Sequence, residues 1–307
     1  MTFNNKCLSI IIPTYKRPDM LARALASVET ETVNGLDIEI VIADNDPKAS
    51  AKDFAARKIT ESDANIVYIH VPEPGVSNAR NGALAEASGR YILFLDDDME
   101  ACSPWAQSMF NAAQKFDAAL VFGPVNAVMP DPSDPFLDKM RPLFSRKSRG
   151  EDGIIDRGIG TGNCFIDRAK VNLPTPVFDT SLNHTGGEDD ALFRHLEKQD
   201  IRIAWTNKAD TLEHVPASRA TLNYVWRRNF AFGQAPTREA ADKGLLGIPI
   251  IIFWMCVGIL QIISYGVRFG ITRILRKPQS VFNLGRLAQG CGKVIWSDRV
   301  SPKFYGL

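Results

Sequence analysis

The feature that most constrains this chain is an alternation along its front half: short apolar runs of strand length, separated by stretches with helical spacing. LSIIIPT (8–14) reads as a buried strand stopped by Pro13. PDMLARALASV (18–28) follows, with Pro18 at a first helical position and Met20, Leu21, Ala24, Leu25 and Val28 on one face. DIEIVIAD (37–44) and NIVYIHV (65–71) read as the second and third strands. SNARNGALAEASG (77–89) predicts a helix capped by Ser77 or Asn78 and stopped by Gly89. RYILFLDDD (90–98) is a fourth strand, SPWAQSMFNAAQKF (103–116) a helix capped by Ser103, and AALVFGPV (118–125) a fifth strand. Strands alternating with helices predict an α/β fold, with a mainly parallel sheet flanked by helices on both faces.

In such sheets ligands bind beyond the carboxyl ends of the strands. Three polar clusters fall there: Thr14-Tyr15-Lys16-Arg17, Asp44-Asn45-Asp46 and Asp96-Asp97-Asp98. Adjacent carboxylates repel, so the last cluster either points into water or surrounds a positive charge. A hard divalent cation such as Mg2+ or Mn2+ enters through one or two carboxylates plus substrate phosphates. In an extended segment Asp96 and Asp98 share a face and Asp97 points away. A solvated turn explains the same three residues, and the triplet alone leaves both readings open.

Further along, residues 129–153 read as a long loop rich in Pro and charge, TGNCFID (161–167) as a strand, and RIAW (202–205) and TLEHV (211–215) as short strands. GGEDDALFRHLEKQ (186–199) starts a helix with three acids in its first turn. Those acids complement the helix dipole, at about 0.3–1 kcal/mol each. Alternatively, Gly186 and Gly187 admit a substrate while one carboxylate serves as a general base. GIGTG (158–162) lacks the strand-then-helix context and the glycine spacing of a dinucleotide fingerprint and reads as a loop.

Net charge divides the chain. Residues 216–307 carry 13 Lys/Arg and 3 Asp/Glu, whereas residues 1–215 carry 23 and 32. An acidic front half argues against a nucleic-acid partner, and a basic, apolar tail suits an anionic membrane surface. Five scattered cysteines without a CxxC pair argue against a zinc site or disulfide framework and suit a reducing compartment.

Taken together, SIIIPTYKRPDMLARALASV, EIVIADN, GVSNARNGALAEASGRYILFLDDD, TGNCFIDR and GGEDDALFRHL resemble the family 2 glycosyltransferases of GT-A fold, over about the front 215 residues. The resemblance implies an inverting, metal-dependent sugar transfer from a nucleoside-diphosphate sugar, with a uridine diphosphate donor the commonest choice. It implies that Pro13, Thr14, Tyr15 and Arg17 line the nucleotide pocket. Asp44 would accept a hydrogen bond from the base, and Arg80 would approach the base or phosphates. Asp96 and Asp98 match the DxD motif, with Asp97 between them. Asp96 would face the ribose or the metal, and Asp98 would ligate Mn2+ or Mg2+. Asp189 matches the catalytic base. Asn163 and Gly162 are expected on the acceptor side, with Gly187 and Glu188 beside them. His214 stands where relatives carry a metal or phosphate contact, though a lone His at a strand end is as readily structural.

The tail adds GLLGIPIIIFWMCVGILQIISYGV (244–267), 24 residues without a charge. As a helix it reaches roughly 36 Å, enough to cross a bilayer's hydrocarbon core. Arg227, Arg228, Arg238 and Lys243 precede it, and Arg268, Arg273, Arg276 and Lys277 follow. Basic flanks on both sides cannot satisfy a single span under the positive-inside rule, so an interfacial or re-entrant hairpin fits better. A buried helix of an oligomer or of a C-terminal subdomain is the alternative. The expected organisation is a catalytic domain over 1–215 and a helical membrane-associating or acceptor region over 216–307. The expected place is the cytoplasmic face of the plasma membrane, and the expected acceptor is a lipid-linked oligosaccharide. Loading of one sugar onto polyprenyl phosphate, and a non-catalytic sugar-nucleotide-binding subunit, remain alternatives.

Overall fold

The computed structural model describes residues 3–147, 150–183, 186–297 and 300–302. They fall into two compact units, one of residues 3–126 and 145–213, the other of 127–144 and 214–302.

The first unit follows the alternation. Its elements are β1 (Asn4–Thr14), α1 (Pro18–Val28), β2 (Asp37–Asp44), α2 (Lys52–Glu61), β3 (Asn65–His70), α3 (Val76–Glu86) and β4 (Gly89–Leu95). After these come β5 (Met99–Ala101), α4 (Trp105–Lys115), β6 (Leu120–Phe122) and β7 (Val125–Val128), which leads out of the unit. A short helix, α5 (Pro135–Asp138), lies in the excursion, where the sequence predicts only loop. The chain returns through β8 (Gly153–Ile155), β9 (Asn163–Asp167), α6 (Glu188–Leu196), β10 (Ile203–Trp205) and β11 (Thr211–His214).

The large sheet has eight strands in the order β3-β2-β1-β4-β9-β6-β10-β8. The pairs β1–β2, β1–β4, β2–β3 and β6–β10 are parallel; β9 runs antiparallel to both β4 and β6, and β8 is antiparallel to β10. A reversed β9 brings the segment before it, residues 158–162, to the same end as the carboxyl terminus of β4, because Leu95 pairs with Asn163. A second sheet has the order β5-β11-β7.

Side-chain alternation sorts the core into two layers. Leu8, Ile10 and Ile12 of β1 and Tyr91, Leu93 and Leu95 of β4 face one layer, with Leu21, Leu25 and Val28 of α1 and Trp105 and Met109 of α4. Ile11, Ile92 and Phe94 face the other, with Ala79 and Ala83 of α3 and Leu192, Phe193 and Leu196 of α6. Each fully buried Leu, Ile or Phe among them contributes about 1.5–3 kcal/mol by leaving water. The result is helices on both faces of a mainly parallel sheet.

Several local expectations differ, among them the Ser103 cap, since α4 starts at Trp105 after Pro104 without a side-chain cap, and the Gly89 stop, since α3 ends at Glu86 and Gly89 opens β4. Helix α2 carries no apolar stripe, and Ala55 is its only buried residue, so helical periodicity does not reveal it. Helix α3 starts at Val76 after Gly75. Ser77 is not its cap: its hydroxyl donates to the Asp179 carbonyl at 2.9 Å. The run 118–125 breaks into β6 and the start of β7 rather than forming one strand.

The second unit is helical: α7 (Leu222–Ala241), α8 (Ile248–Ile274) and α9 (Gln279–Val294). Thr221 caps α7, its hydroxyl accepting from the Tyr224 N–H at 3.2 Å. Helices α8 and α9 approach at Gly258 and Gly290, where a Cβ on either would lie 2.8 Å from the other's carbonyl oxygen. Two expected flank cations are engaged inside the unit. Arg228 lies over the rings of Phe144 and Phe232, and Arg238 donates to the Trp296 carbonyl at 2.9 Å. Residues 244–274 are long and apolar enough to cross a membrane, and only 11% of their most apolar stretch is buried. Leu246, Leu260, Ile263 and Ile274 of that segment are exposed.

Candidate active site

The carboxyl ends of β1, β2 and β4 carry the three polar clusters, and each has a different fate. Strand β4 ends at Leu95, and a turn closed by the Met99 N–H to the Asp96 carbonyl (3.0 Å) follows at once. The alternation expected for an extended triplet therefore does not apply. Asp97 does not point away from the site: its Oδ2 accepts from the Thr14 hydroxyl at 2.9 Å and its Oδ1 from Arg17 Nη1 at 3.2 Å. The same Nη1 reaches Asp98 Oδ2 at 3.3 Å. Burial pushes the Asp97 carboxyl up to about 6, with Arg17 pulling it down and Asp98 raising it further.

Asp96 turns the other way, to Arg80. One buried guanidinium, on α3, gathers three carboxylates from two elements. Nη2 donates to Asp96 Oδ1 at 3.2 Å, and Nη1 to Glu188 Oε1 and Asp189 Oδ1, both at 2.8 Å. Arg80 also lies over the Phe178 ring at 5.5 Å. Asp189 is brought there by α6, whose N-cap, Gly187, has a left-handed backbone (φ 93°) that a side chain would strain. Burial raises the Glu188 carboxyl, Asp189 adds to this, and Arg80 opposes both. Gly162 packs against this group, where a Cβ would stand 2.8 Å from Asp96 Oδ2.

Five carboxylates thus share two guanidinium groups at one end of one sheet. Desolvated carboxylates in excess favour a further cation. Among the described residues, no three His, Cys, Asp or Glu side chains are arranged as an all-protein metal cage. The donor set instead fits a metal held through one or two carboxylates and completed by substrate phosphates.

Of the other expected residues, Pro13 and Thr14 are buried at the end of β1, and Tyr15 is exposed beside them, its ring under Lys16 Nζ at 4.7 Å. Asp44 is fully buried, and its carboxylate is taken by the Asp46 N–H (3.0 Å), the Ala51 N–H (2.8 Å) and the Tyr68 hydroxyl (3.1 Å). It shapes the loop after β2 and has no face turned toward a base. Arg80 is likewise a strut between carboxylates, buried at 4% exposure, rather than an arm open to a nucleotide. Asn163 is also fully buried and does not line an acceptor surface. Its Oδ1 accepts from Trp105 Nε1 at 2.9 Å, and its amide donates to the Pro124 and Ala209 carbonyls at 2.9 and 2.8 Å. Glu188 is buried, with Oε1 accepting from Arg80, and Gly187 is exposed. His214, at the end of β11, belongs to the second unit.

This geometry has a counterpart among known proteins. The model of the family described as Glycosyl transferase family 2 matches residues 9–171, more than half of the chain. The chain belongs to that family. It is 32% identical over 237 residues to the succinoglycan biosynthesis protein ExoM of Rhizobium meliloti (strain 1021), covering 77% of this chain and 76% of that protein. It is 30% identical over 118 residues to the GalNAc(5)-diNAcBac-PP-undecaprenol beta-1,3-glucosyltransferase of Campylobacter jejuni, covering 38% and 37%. Among solved structures, S. aureus TarS 1–349 in complex with UDP aligns with a TM-score of 0.50 at 13% identity, over 72% of this chain and 64% of that one. GalNAc-T7 with UDP, GalNAc and Mn2+ aligns with a TM-score of 0.50 at 15% identity, over 77% and 51%. The fold is of GT-A type and the chain is a glycosyltransferase.

Within this family 2 enzyme, sequence reasoning missed two residues. Thr161, fully buried, donates from its N–H to Asp189 Oδ2 and from its hydroxyl to Asp189 Oδ1, both at 3.0 Å. Its signal was the GIGTG stretch, which is indeed a loop, but one that touches Asp189. Arg146 reaches four backbone carbonyls around that loop. Nothing in the charge-rich run FSRKSRGEDG singles it out.

Proposed function

We propose that this enzyme transfers a sugar from a nucleoside-diphosphate sugar, with UDP as the carrier, to a hydroxyl of a lipid-linked oligosaccharide in surface polysaccharide synthesis. The observation that carries the reading is the single Arg80 guanidinium bonded both to Asp96 at the end of β4 and to Asp189 at the start of α6. It supports a pocket with a diphosphate-facing side and a proton-accepting side.

Asp189, with its side chain 24% exposed, is the general base. It takes the proton of the acceptor hydroxyl as that oxygen attacks the anomeric carbon. The bond from that carbon to the diphosphate breaks, and the nucleoside diphosphate leaves with the electron pair. One base and one departure make a single displacement with inversion. Asp98 and Asp96 are the residues that would hold Mn2+ or Mg2+, which supplies charge stabilisation to the departing diphosphate. Arg17 and the Thr14–Tyr15 turn flank the same side. Solved relatives of the fold carry UDP, and one carries Mn2+.

The lipid-linked acceptor is supported by the exposed apolar stretch of residues 244–274, which we read as seated in the cytoplasmic leaflet. The printed names of the relatives agree, one being a succinoglycan biosynthesis protein and another acting on an undecaprenol-diphosphate oligosaccharide.

The test uses full-length enzyme with a panel of UDP-sugars and a lipid extract, reading UDP release and the anomeric configuration of the product. Wild type is expected to give an inverted product, and Asp189→Asn to bind UDP normally yet lose turnover by about a hundredfold or more. A retained configuration, or an active Asp189→Asn enzyme, would refute the mechanism. An acid-labile monosaccharide-phosphate lipid would refute the oligosaccharide acceptor.

A further inference from the structure

The carboxylate of Asp189 is held from two directions. Oδ1 accepts from Arg80 Nη1 at 2.8 Å and from the Thr161 hydroxyl at 3.0 Å. Oδ2 accepts from the Thr161 N–H at 3.0 Å. A carboxylate offers about four lone-pair sites. Among the described residues Oδ1 is therefore doubly engaged, and Oδ2 keeps one site open. Thr161 is fully buried, so both of its bonds are shielded from competing water.

Thr161 is fixed by its own loop. Arg146 donates from Nη1 to the Ile159 and Gly160 carbonyls, the latter at 3.1 Å, and from Nη2 to the Asn163 carbonyl at 3.0 Å. Its Nε donates to the Gly123 carbonyl, after β6, at 3.0 Å. At the other end of the loop the Gly158 N–H donates to Glu197 Oε1 at 2.8 Å. Burial pulls the Arg146 guanidinium down to about 10, in keeping with a cation that meets carbonyl dipoles instead of a carboxylate. A rigid planar fork spanning residues 159–163 is a task that Lys, a single point donor, does not perform.

We infer that Thr161 and Arg146 are positioning residues for the glycosyl transfer: Thr161 orients the Asp189 carboxylate so that Oδ2 meets the acceptor hydroxyl, and Arg146 holds the loop that presents Thr161. The inference rests on Asp189 being the base.

A set of variants in the full-length enzyme tests it. The readouts are UDP affinity by titration and turnover of whichever of UDP-glucose, UDP-galactose and UDP-N-acetylglucosamine wild type uses fastest. Thr161→Val keeps shape and the N–H but removes the hydroxyl. It should lower kcat by about ten- to a hundredfold, the worth of a hydrogen bond to a charged group, with UDP affinity and donor KM unchanged. Thr161→Ser restores the hydroxyl and should recover kcat to within about threefold of wild type. Arg146→Lys should lower kcat in the same manner as Thr161→Val, again with UDP affinity kept. Turnover is compared at a temperature at which wild type and Thr161→Ser bind UDP alike.

Equal losses in Thr161→Val and Thr161→Ser would overturn the inference, as would wild-type kcat in Thr161→Val. Lost UDP binding in Thr161→Val would overturn it too, by making Thr161 a residue of the fold or donor site. Asp189→Asn separates the two levels. If that variant turns over normally, the base assignment fails. If it is inert while Thr161→Val matches wild type, only the positioning role fails.

Discussion

Replacing Arg80 with Met removes one guanidinium and leaves Asp96, Glu188 and Asp189 without the cation they share. The side chains of Arg80 and Glu188 are 5% and 6% exposed, so water screens Glu188 little, whereas Asp96 and Asp189, at 30% and 24%, are partly screened. Breaking a buried pair by removing one partner costs about 3–5 kcal/mol. At roughly 2–4 °C per kcal/mol for a unit of this size, the melting temperature should fall by about 6–20 °C. The loss has a pH signature. Glu188 is already raised by burial and opposed by Arg80, so without the arginine it rises further. A folded-state value raised above the unfolded one means that stability is lost as pH climbs. The gap between Arg80→Met and wild type should therefore be wider at pH 8 than at pH 5. Calorimetry on full-length protein in detergent reads both effects. Adding Glu188→Gln and Asp189→Asn to Arg80→Met should recover most of the loss, since the only charge then left without its partner is Asp96, the most exposed of the three at 30%. A melting temperature within about 2 °C of wild type, or a gap that does not change with pH, would refute the view of Arg80 as a charge-balancing strut.

In EDTA, Asp97→Asn should be more stable than wild type above pH 6, and equal to it below about pH 4. The Asp97 carboxyl rises from 3.8 to about 6 on folding, so its proton is kept by the folded state in that window and stability drains as pH rises, by about 3 kcal/mol at most. Chemical denaturation across pH 4–8 checks this, and parallel curves would contradict it. Asn163→Ala should destabilise the enzyme by about 2–4 kcal/mol, by stranding the Trp105 N–H and the Ala209 carbonyl, with acceptor KM unchanged. A raised KM at normal stability would return Asn163 to the acceptor side. Leu260→Glu with Ile263→Glu, both on the exposed face of α8, should lower partition onto anionic vesicles by more than about a hundredfold in flotation assays. Unchanged flotation would remove α8 from the membrane contact.

The fold was legible because burial dictates period. Ile10, Ile11 and Ile12 on a strand covered on both faces give a continuous apolar run, and Leu21, Ala24, Leu25 and Val28 give a helical stripe. Helix α2 was not, because only Ala55 is buried and Phe54 alone packs beside it against the core. The acids of the site were visible as clusters at strand and helix ends, but their partners were not. Asp97 reads as outward-facing only if β4 continues past Leu95, and the turn at Asp96 reverses that. Asn163 and Asp44 look like reaching groups in one dimension. In three, their hydrogen bonds close inward, on Trp105 for one and on Tyr68 for the other. Arg146 was invisible for a related reason: its work is done on carbonyls that no sequence displays.

We propose above that Asp98 and its neighbours grip a nucleoside diphosphate through a divalent cation. Titration calorimetry with UDP, with and without Mn2+, on wild type and Asp98→Ala checks that grip. Mn2+ is expected to tighten UDP binding by about tenfold or more in wild type, a gain of about 1.4 kcal/mol, and to add nothing in Asp98→Ala. An Mn2+ enhancement that survives in Asp98→Ala would contradict the claim.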